Sequence, residues 1–212
     1  MNEAYQISTA GGGDEEPVLQ SEGMSAAGMI STQVVPSDSS PDDERIIFST
    51  LDLSARRHLW VLPLTGDRKP FRFFDSSSDE MQGNFSPDGR FVAYSSNESG
   101  RFEFYVQTFP RSERKWTVSA NGGYEPRWRG DGREIYYLSE DRKLMAVSVG
   151  TGPSFEVPKA LFQTRVPVAI DLLRTRYVPS RDGQRFLINT QIGDPAPTPI
   201  TVVLNWTEWL KK

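Results

Sequence analysis

From residue 45 onward the chain alternates short apolar runs with clusters of Gly, Pro, Asp, Asn and Ser. The runs include Ile46-Ile47-Phe48, Leu59-Trp60-Val61-Leu62, Phe91-Val92-Ala93-Tyr94, Ile135-Tyr136-Tyr137-Leu138 and Phe186-Leu187-Ile188. Each is too short for a stable helix and rich in β-branched or aromatic residues. Continuous apolar runs of this length suit strands covered on both faces. The stretch Asn84–Ser96, NFSPDGRFVAYSS, writes a strand, a tight turn and a second strand in one line. Pro87 presets φ for the first turn position, Asp88 can bond the backbone just downstream, and Gly89 takes positive φ.

That hairpin recurs. Arg129-Gly130-Asp131-Gly132-Arg133 precedes the run at Ile135, and Ser180-Arg181-Asp182-Gly183-Gln184 precedes the one at Phe186. A worn copy, Ser40-Pro41-Asp42-Asp43-Glu44-Arg45, precedes Ile46. The anchor aspartates Asp42, Asp88, Asp131 and Asp182 lie 46, 43 and 51 residues apart, a period that signals a repeat architecture.

The pattern predicts four strands per unit. The first unit has Ile30–Pro36, Arg45–Thr50, His58–Pro63 and Lys69–Phe74; the second has Met81–Phe85, Arg90–Ser95, Phe102–Phe109 and Lys115–Ser119. The third has Tyr124–Trp128, Glu134–Ser139, Lys143–Val149 and Lys159–Gln163. Arg174–Pro179 and Arg185–Thr190 begin a fourth, and Ile200–Trp206 follows a Pro-rich linker, Gly193 to Pro199, as its third strand. Two leading strands, within Glu3–Thr9 and Glu16–Gln20, match the third and fourth of a unit, and the Leu161–Leu173 interval leaves room for a helical turn. The expected fold is all-β: a propeller, or an arc of one, built of four-stranded antiparallel blades. One domain spans 1–212, with a partial blade at 3–20, blades at 30–74, 81–119 and 124–164, and an incomplete last blade at 174–206. A half blade at one end and three strands at the other lead us to expect a fragment of a larger propeller rather than a closed ring, with self-association through open blade edges.

Composition narrows the function. The 24 basic and 28 acidic side chains leave a net charge of −4, which argues against a nucleic-acid binder held by a basic face. With no cysteine there is neither a disulfide framework nor a Cys-based zinc site or nucleophile. No run approaches the ~18 apolar residues of a membrane span, and the N-terminal residues lack the basic and apolar parts of a signal peptide. The chain taken alone is expected to stay where it is made, and to lie outside the membrane if it is the tail of a receptor.

The Ser-Pro-Asp-Gly-Arg turn followed by an aromatic strand resembles the propeller repeats of TolB and of the prolyl oligopeptidases. The Gly-His and Trp-Asp pairs of tryptophan–aspartate repeats are absent. More closely, several segments together resemble the C-terminal propeller of acidobacterial serine/threonine protein kinases. They are His58–Leu64 (HLWVLPL), Gly83–Arg90 (GNFSPDGR), Ser96–Arg101 (SNESGR), Lys143–Val147 (KLMAV) and the ending Pro199–Trp206 (PITVVLNW). The resemblance spans nearly the whole chain and departs at residues 24–45, where Asp43 stands in the place of the turn glycine and leaves the tightness of that turn open. It implies a TolB-like sensor or interaction region within a bacterial kinase. The Gly-rich phosphate loop, His-Arg-Asp and Asp-Phe-Gly motifs are missing, so kinase activity does not carry over to this chain.

The remaining chemistry is sparse. There is no Gly-x-Ser-x-Gly elbow, and a Ser-His-Asp triad would need the single histidine, His58, which is expected on the surface or in packing. Ser112-Glu113-Arg114-Lys115 fits a Ser-x-x-Lys pattern without its partner motifs. The anchor aspartates sit on separate blades beside turns, so capping explains them better than calcium. Asp14-Glu15-Glu16 and Asp42-Asp43-Glu44 are expected to be solvated turns. Trp60, Trp116, Trp128, Trp206 and Trp209 are expected to pack between blades, Trp209 being the best candidate for exposure. Arg111, Arg114 and Lys115 form a basic patch on a blade edge that guards against edge pairing. No residue is assigned a catalytic, binding or metal role, and no cofactor is expected. The expected function is binding, without catalysis, of a protein or peptide, or of a small ligand in a central channel. The alternative is the propeller of a prolyl-oligopeptidase-type peptidase separated from its catalytic domain.

Overall fold

The computed structural model describes residues 4–6, 16–19, 31–110, 114–152, 154–167 and 175–190. They form sixteen strands and, among the described residues, no helix. Strands β1 (Ala4–Gln6) and β2 (Glu16–Leu19) pair antiparallel. The first whole blade is β3 (Ser31–Ser39), β4 (Arg45–Asp52), β5 (Arg57–Pro63) and β6 (Phe71–Arg72), hydrogen-bonded in that order. The second is β7 (Glu80–Phe85), β8 (Phe91–Ser96), β9 (Glu103–Thr108) and β10 (Lys115–Thr117). The third is β11 (Tyr124–Trp128), β12 (Glu134–Leu138), β13 (Lys143–Ser148) and β14 (Lys159–Gln163). A fourth begins with β15 (Tyr177–Pro179) and β16 (Phe186–Ile188). The expected third strand at 200–206, its Pro-rich linker and the 168–173 part of the interval considered for a helical turn lie outside the described residues. The first part of that interval belongs to β14.

The meander follows from the apolar runs. In β8, Val92 and Tyr94 face the first blade, where they join Ile47, Leu59, Val61, Phe73 and Phe74. Ala93, between them, faces the third blade with Phe104, Val106, Ile135, Tyr137 and Val147. In β12 the faces exchange in the same way: Ile135 and Tyr137 look back to the second blade, while Tyr136 and Leu138 look forward to Tyr177. A strand apolar on both faces is thus one whose sheet is sandwiched between two others, and the core is a stack of interblade layers. Ring pairs cross these layers, with Phe73 edge-on to Tyr94 at 6.4 Å and Phe104 against Tyr137 at 4.8 Å.

Three expectations need correction. The fourth strand of the first blade is not Lys69–Phe74 but only Phe71–Arg72, because Phe73 and Phe74 turn inward and are 1% and 8% exposed. The first strand of that blade reaches Ser39, past Pro36, which is tolerated because β3 is an edge strand paired only with β4. The strands of the fourth unit are shorter than expected, at three residues each.

The worn first turn closes as tightly as the others. Asp43 N–H donates to Ser40 O at 2.9 Å, as Gly89 N–H does to Ser86 O at 2.8 Å, and Asp43 takes φ 56° beside 70° for Gly89. Aspartate is among the few non-glycine residues that enter this region at modest cost.

Candidate functional site

The first strand of each blade, β3, β7, β11 and β15, is the inner one, and side chains at fixed distances before the anchor aspartate join one blade to the next. Six residues before it stand Pro36, Gln82, Glu125 and Arg176. Gln82 and Glu125 sit on bulges with φ 61° and 53°, where the register against the second strand shifts. Their backbone N–H groups, freed from the ladder, turn toward the preceding blade. Gln82 N–H donates to Ser49 Oγ at 3.2 Å. Glu125 N–H is shared between Gln82 Oε1 at 3.0 Å and Ser95 Oγ at 3.3 Å. Arg176 N–H donates to Glu125 Oε2 at 3.0 Å, and its Nε donates to Glu125 Oε1. Ser49 and Ser95 each stand seven residues after their anchor; the third blade has Leu138 there, and the Glu125 carboxylate takes over the acceptor's work.

Four residues before the anchor stand Asp38, Asn84, Arg127 and Val178. Asp38 Oδ2 accepts Asn84 Nδ2 at 2.7 Å and Phe85 N–H at 2.8 Å. Asn84 Oδ1 accepts Trp128 N–H at 3.1 Å, and the Trp128 indole donates to Asn84 O at 3.2 Å. Burial pushes the Asp38 carboxyl upward against these bonds and the charge of Arg127. This second ladder stops at Arg127, because a guanidinium has no acceptor to offer the next blade. Instead its Nη2 reaches Thr175 Oγ1 at 3.5 Å, and its buried Nε has no hydrogen-bond partner.

Where the four inner strands converge they leave a cleft of about 310 Å³, bounded by Ser37, Asn84, Arg127, Thr175, Val178 and the Trp128 side of β11. A larger groove of about 870 Å³ opens between the second and third anchor turns and the Val149–Gly152 loop. Its floor is Phe91 and Trp128, stacked at 6.5 Å, and the Arg90 guanidinium lies 5.6 Å over Phe91. Arg133 stands exposed at the rim. Cleft and groove share Trp128, and together they offer three cations, Arg127, Arg90 and Arg133, with hydroxyls and apolar surface.

The anchor aspartates cap their turns. Each accepts a backbone N–H two residues on, at 3.0–3.1 Å. Ser40, Ser86 and Ser180 also donate their hydroxyls, and in the third blade Arg129 replaces serine with two bonds at 2.7 Å. The Ser40 and Ser180 hydroxyls do most to hold Asp42 and Asp182 below the usual carboxylate range; Arg129 holds Asp131 at about 2. For Asp88, partial burial pulls upward but is outweighed by Ser86 and Arg90. Successive turns stack, with Pro41 against Gly89 and Pro87 against Gly132. Among the described residues no group of three or more His, Cys, Asp or Glu is placed to hold a metal ion, and no helix is long and apolar enough to cross a membrane.

His58 is largely buried, with both ring nitrogens engaged: Arg72 Nη2 donates to Nδ1 at 2.6 Å, which fixes the proton on Nε2, facing Asp52 Oδ2 at 3.2 Å. The ring therefore joins strands. Trp60 is buried and donates to Thr50 Oγ1 at 3.1 Å; Trp116 packs against Phe91 and Phe155; Trp206 and Trp209 lie outside the described residues. So do Arg111, Ser112, Glu113 and most of the acidic cluster at 14–16, while Lys115 on the edge strand β10 pairs with Glu98 at 2.5 Å. Of the residues central to the cleft, Arg127 carried no motif in the sequence, and Asn84 stood out only as the first residue of the NFSPDGR hairpin stretch. The constant spacing from the anchor aspartates is what marks their shared place at the cleft.

No protein-family model and no curated protein matches the chain. Solved structures do. TolB from Acinetobacter baumannii superposes with a TM-score of 0.64 at 17% identity, over 85% of this chain and 41% of that one. A puromycin-hydrolyzing peptidase from Mycobacterium tuberculosis gives 0.57 at 18%, over 80% and 29%. A protein from Agrobacterium tumefaciens described as TolB gives 0.54 at 14%, over 72% and 54%. At these identities the likeness is one of fold: the chain has a TolB-like β-propeller fold and spans between about a third and a half of the length of these structures.

Proposed function

We propose that this TolB-like propeller is a non-catalytic binding module whose partner is a protein or peptide, received at the inner-strand cleft and the adjoining turn-face groove. The observation that carries this is the interrupted ladder: the polar groups four residues before the anchor aspartates are spent on holding blades together as far as Asn84, whereas Arg127, next in that series, is left facing a cleft. An interaction region of a bacterial serine/threonine kinase is the context that the sequence resemblance supports. Panning a random-peptide library on the immobilised protein, then titrating the enriched peptides by calorimetry, tests the binding role. Stoichiometric binding that Trp128→Ala weakens is expected; no enrichment over a blank surface overturns it. Reading the genomic DNA upstream of Met1 tests the kinase context.

The second reading, the propeller of a peptidase parted from its catalytic domain, is favoured by the superposition on a peptidase. A hydrolase domain encoded downstream would select it.

A further inference from the structure

We propose that the inner-strand cleft is a carboxylate subsite built on Arg127, taking an acidic group of the bound partner. The inference rests on the reading of the chain as a binding module and names the chemistry of that site. Arg127 lies on β11 at the place held by Asp38 and Asn84 in the two preceding blades, and its side chain lines the cleft. Among the described residues it makes no ion pair within 4.0 Å. Its Nε is buried without a partner, and among the described residues its side chain makes only the long hydrogen bond to Thr175 Oγ1, at 3.5 Å. A guanidinium presents a planar fork of donors that matches a carboxylate in two parallel bonds, and a half-buried fork with one edge unfilled is preorganised for that acceptor.

The surroundings select a singly charged ligand. Asp38 is close enough for its titration to feel Arg127, but its Oδ2 already serves Asn84 and Phe85. A cleft with one cation and a half-buried carboxylate in range disfavours a phosphate dianion and admits a monoanion. The Ser37 and Thr175 hydroxyls can donate to the same oxygens, while Val178, half exposed, and Pro179 offer an apolar wall to whatever carries the acid. The volume, about 310 Å³, is at the small end for ligand pockets and suits an acidic side chain with its neighbour or a chain terminus rather than a cofactor.

The test uses three probes: acetyl-Ala-Val-Glu-Ala-amide for an acidic side chain, acetyl-Ala-Val-Ala with a free carboxyl for a chain terminus, and glutarate for a free small acid. Acetyl-Ala-Val-Gln-Ala-amide is the control. The arginine Nε–H resonances of ¹⁵N-labelled protein are followed, that of Arg127 being identified by its loss in Arg127→Lys. At least one carboxylate probe should move the Arg127 signal and bind about tenfold tighter than the control; which one does identifies the source. Arg127→Lys, checked for native melting, should lose about the same factor, because an ammonium cannot make the paired bonds. If no carboxylate probe moves the signal, or if acid and amide bind alike, the subsite is overturned. Library peptides that bind wild type and Arg127→Lys equally would overturn the subsite while leaving the binding module standing. Absence of any enriched peptide would instead remove the module.

Discussion

The backbone N–H of Glu125 donates to the side-chain oxygen of Gln82, its counterpart in the preceding blade, at 3.0 Å. The two residues occupy one structural position, and the bond repeats, with different chemistry, at each described junction between whole blades and at the start of the fourth. A serine hydroxyl accepts at the first junction, an amide and a hydroxyl at the second, and a carboxylate at the third.

The third junction should be the most sensitive to mutation. Glu125 and Arg176 are 1% and 5% exposed, so removing one partner leaves the other charged and buried. Arg176→Met should cost about 3–5 kcal/mol. Adding Glu125→Gln to it should recover part of that cost, because the uncompensated charge is gone. A double-mutant cycle in urea measures this; strictly additive losses would show that the pair is uncoupled.

At the anchor turn of the second blade, Gly89→Val should lower stability by roughly 1–2 kcal/mol. The cause is backbone strain at φ 70°, since a Cβ there would meet nothing closer than Pro41 at 3.7 Å. Gly89→Asn should cost clearly less, as Asp43 adopts φ 56° in the matching turn. Thermal melts of the two variants side by side check the order; equal losses would place the cost elsewhere.

Glu80, at the head of β7, is 2% exposed, and its Oε2 has no hydrogen-bond partner. Burial raises its carboxyl to about 7, against the pull of the Ser76 hydroxyl and Arg72. A folded-state value above the unfolded one means the native state holds the proton longer, so stability should fall as pH rises from about 4.5 to about 7. Glu80→Gln should abolish that slope and raise stability at pH 8 by on the order of 2 kcal/mol. Urea midpoints of both proteins across this range check it, and an unchanged slope in the variant would assign the dependence to other groups.

Asn84→Asp should destabilise in a pH-dependent way. The change keeps an acceptor for Trp128 N–H but removes the donor to Asp38 and sets two carboxylates together. At pH 8 the loss should be ~2 kcal/mol, and it should shrink as acid lets the pair share a proton. Melting temperatures at pH 4.5 and pH 8 decide it; a constant deficit would rule out charge as the cause.

The blades were legible because two-sided burial writes continuous apolar runs, and because the anchor turns need Asp and Gly at fixed places. Tyr124–Trp128 and Lys159–Gln163 are strands with the expected bounds. The first blade's last strand was misjudged because Phe73 and Phe74 are apolar both for a strand and for a turn into the core. The interblade ladders were hidden for a different reason. A hydroxyl, an amide and a carboxylate can each accept one N–H, so Ser49, Gln82 and Glu125 share a role without sharing a type. Arg127 stood out least: its significance lies in the acceptor it lacks, which only its neighbours' bonds reveal.

At the interblade ladders each of these acceptors, Asp38, Ser49, Gln82, Asn84 and Glu125, precedes its donor in the chain. These two ladders therefore have a direction, although Arg127 and Gly130 donate forward, to Thr175 Oγ1 and Arg181 O. A polypeptide growing from its N-terminus exposes each socket before the plug that fills it is made, so blades can be added in order of synthesis without waiting for the next.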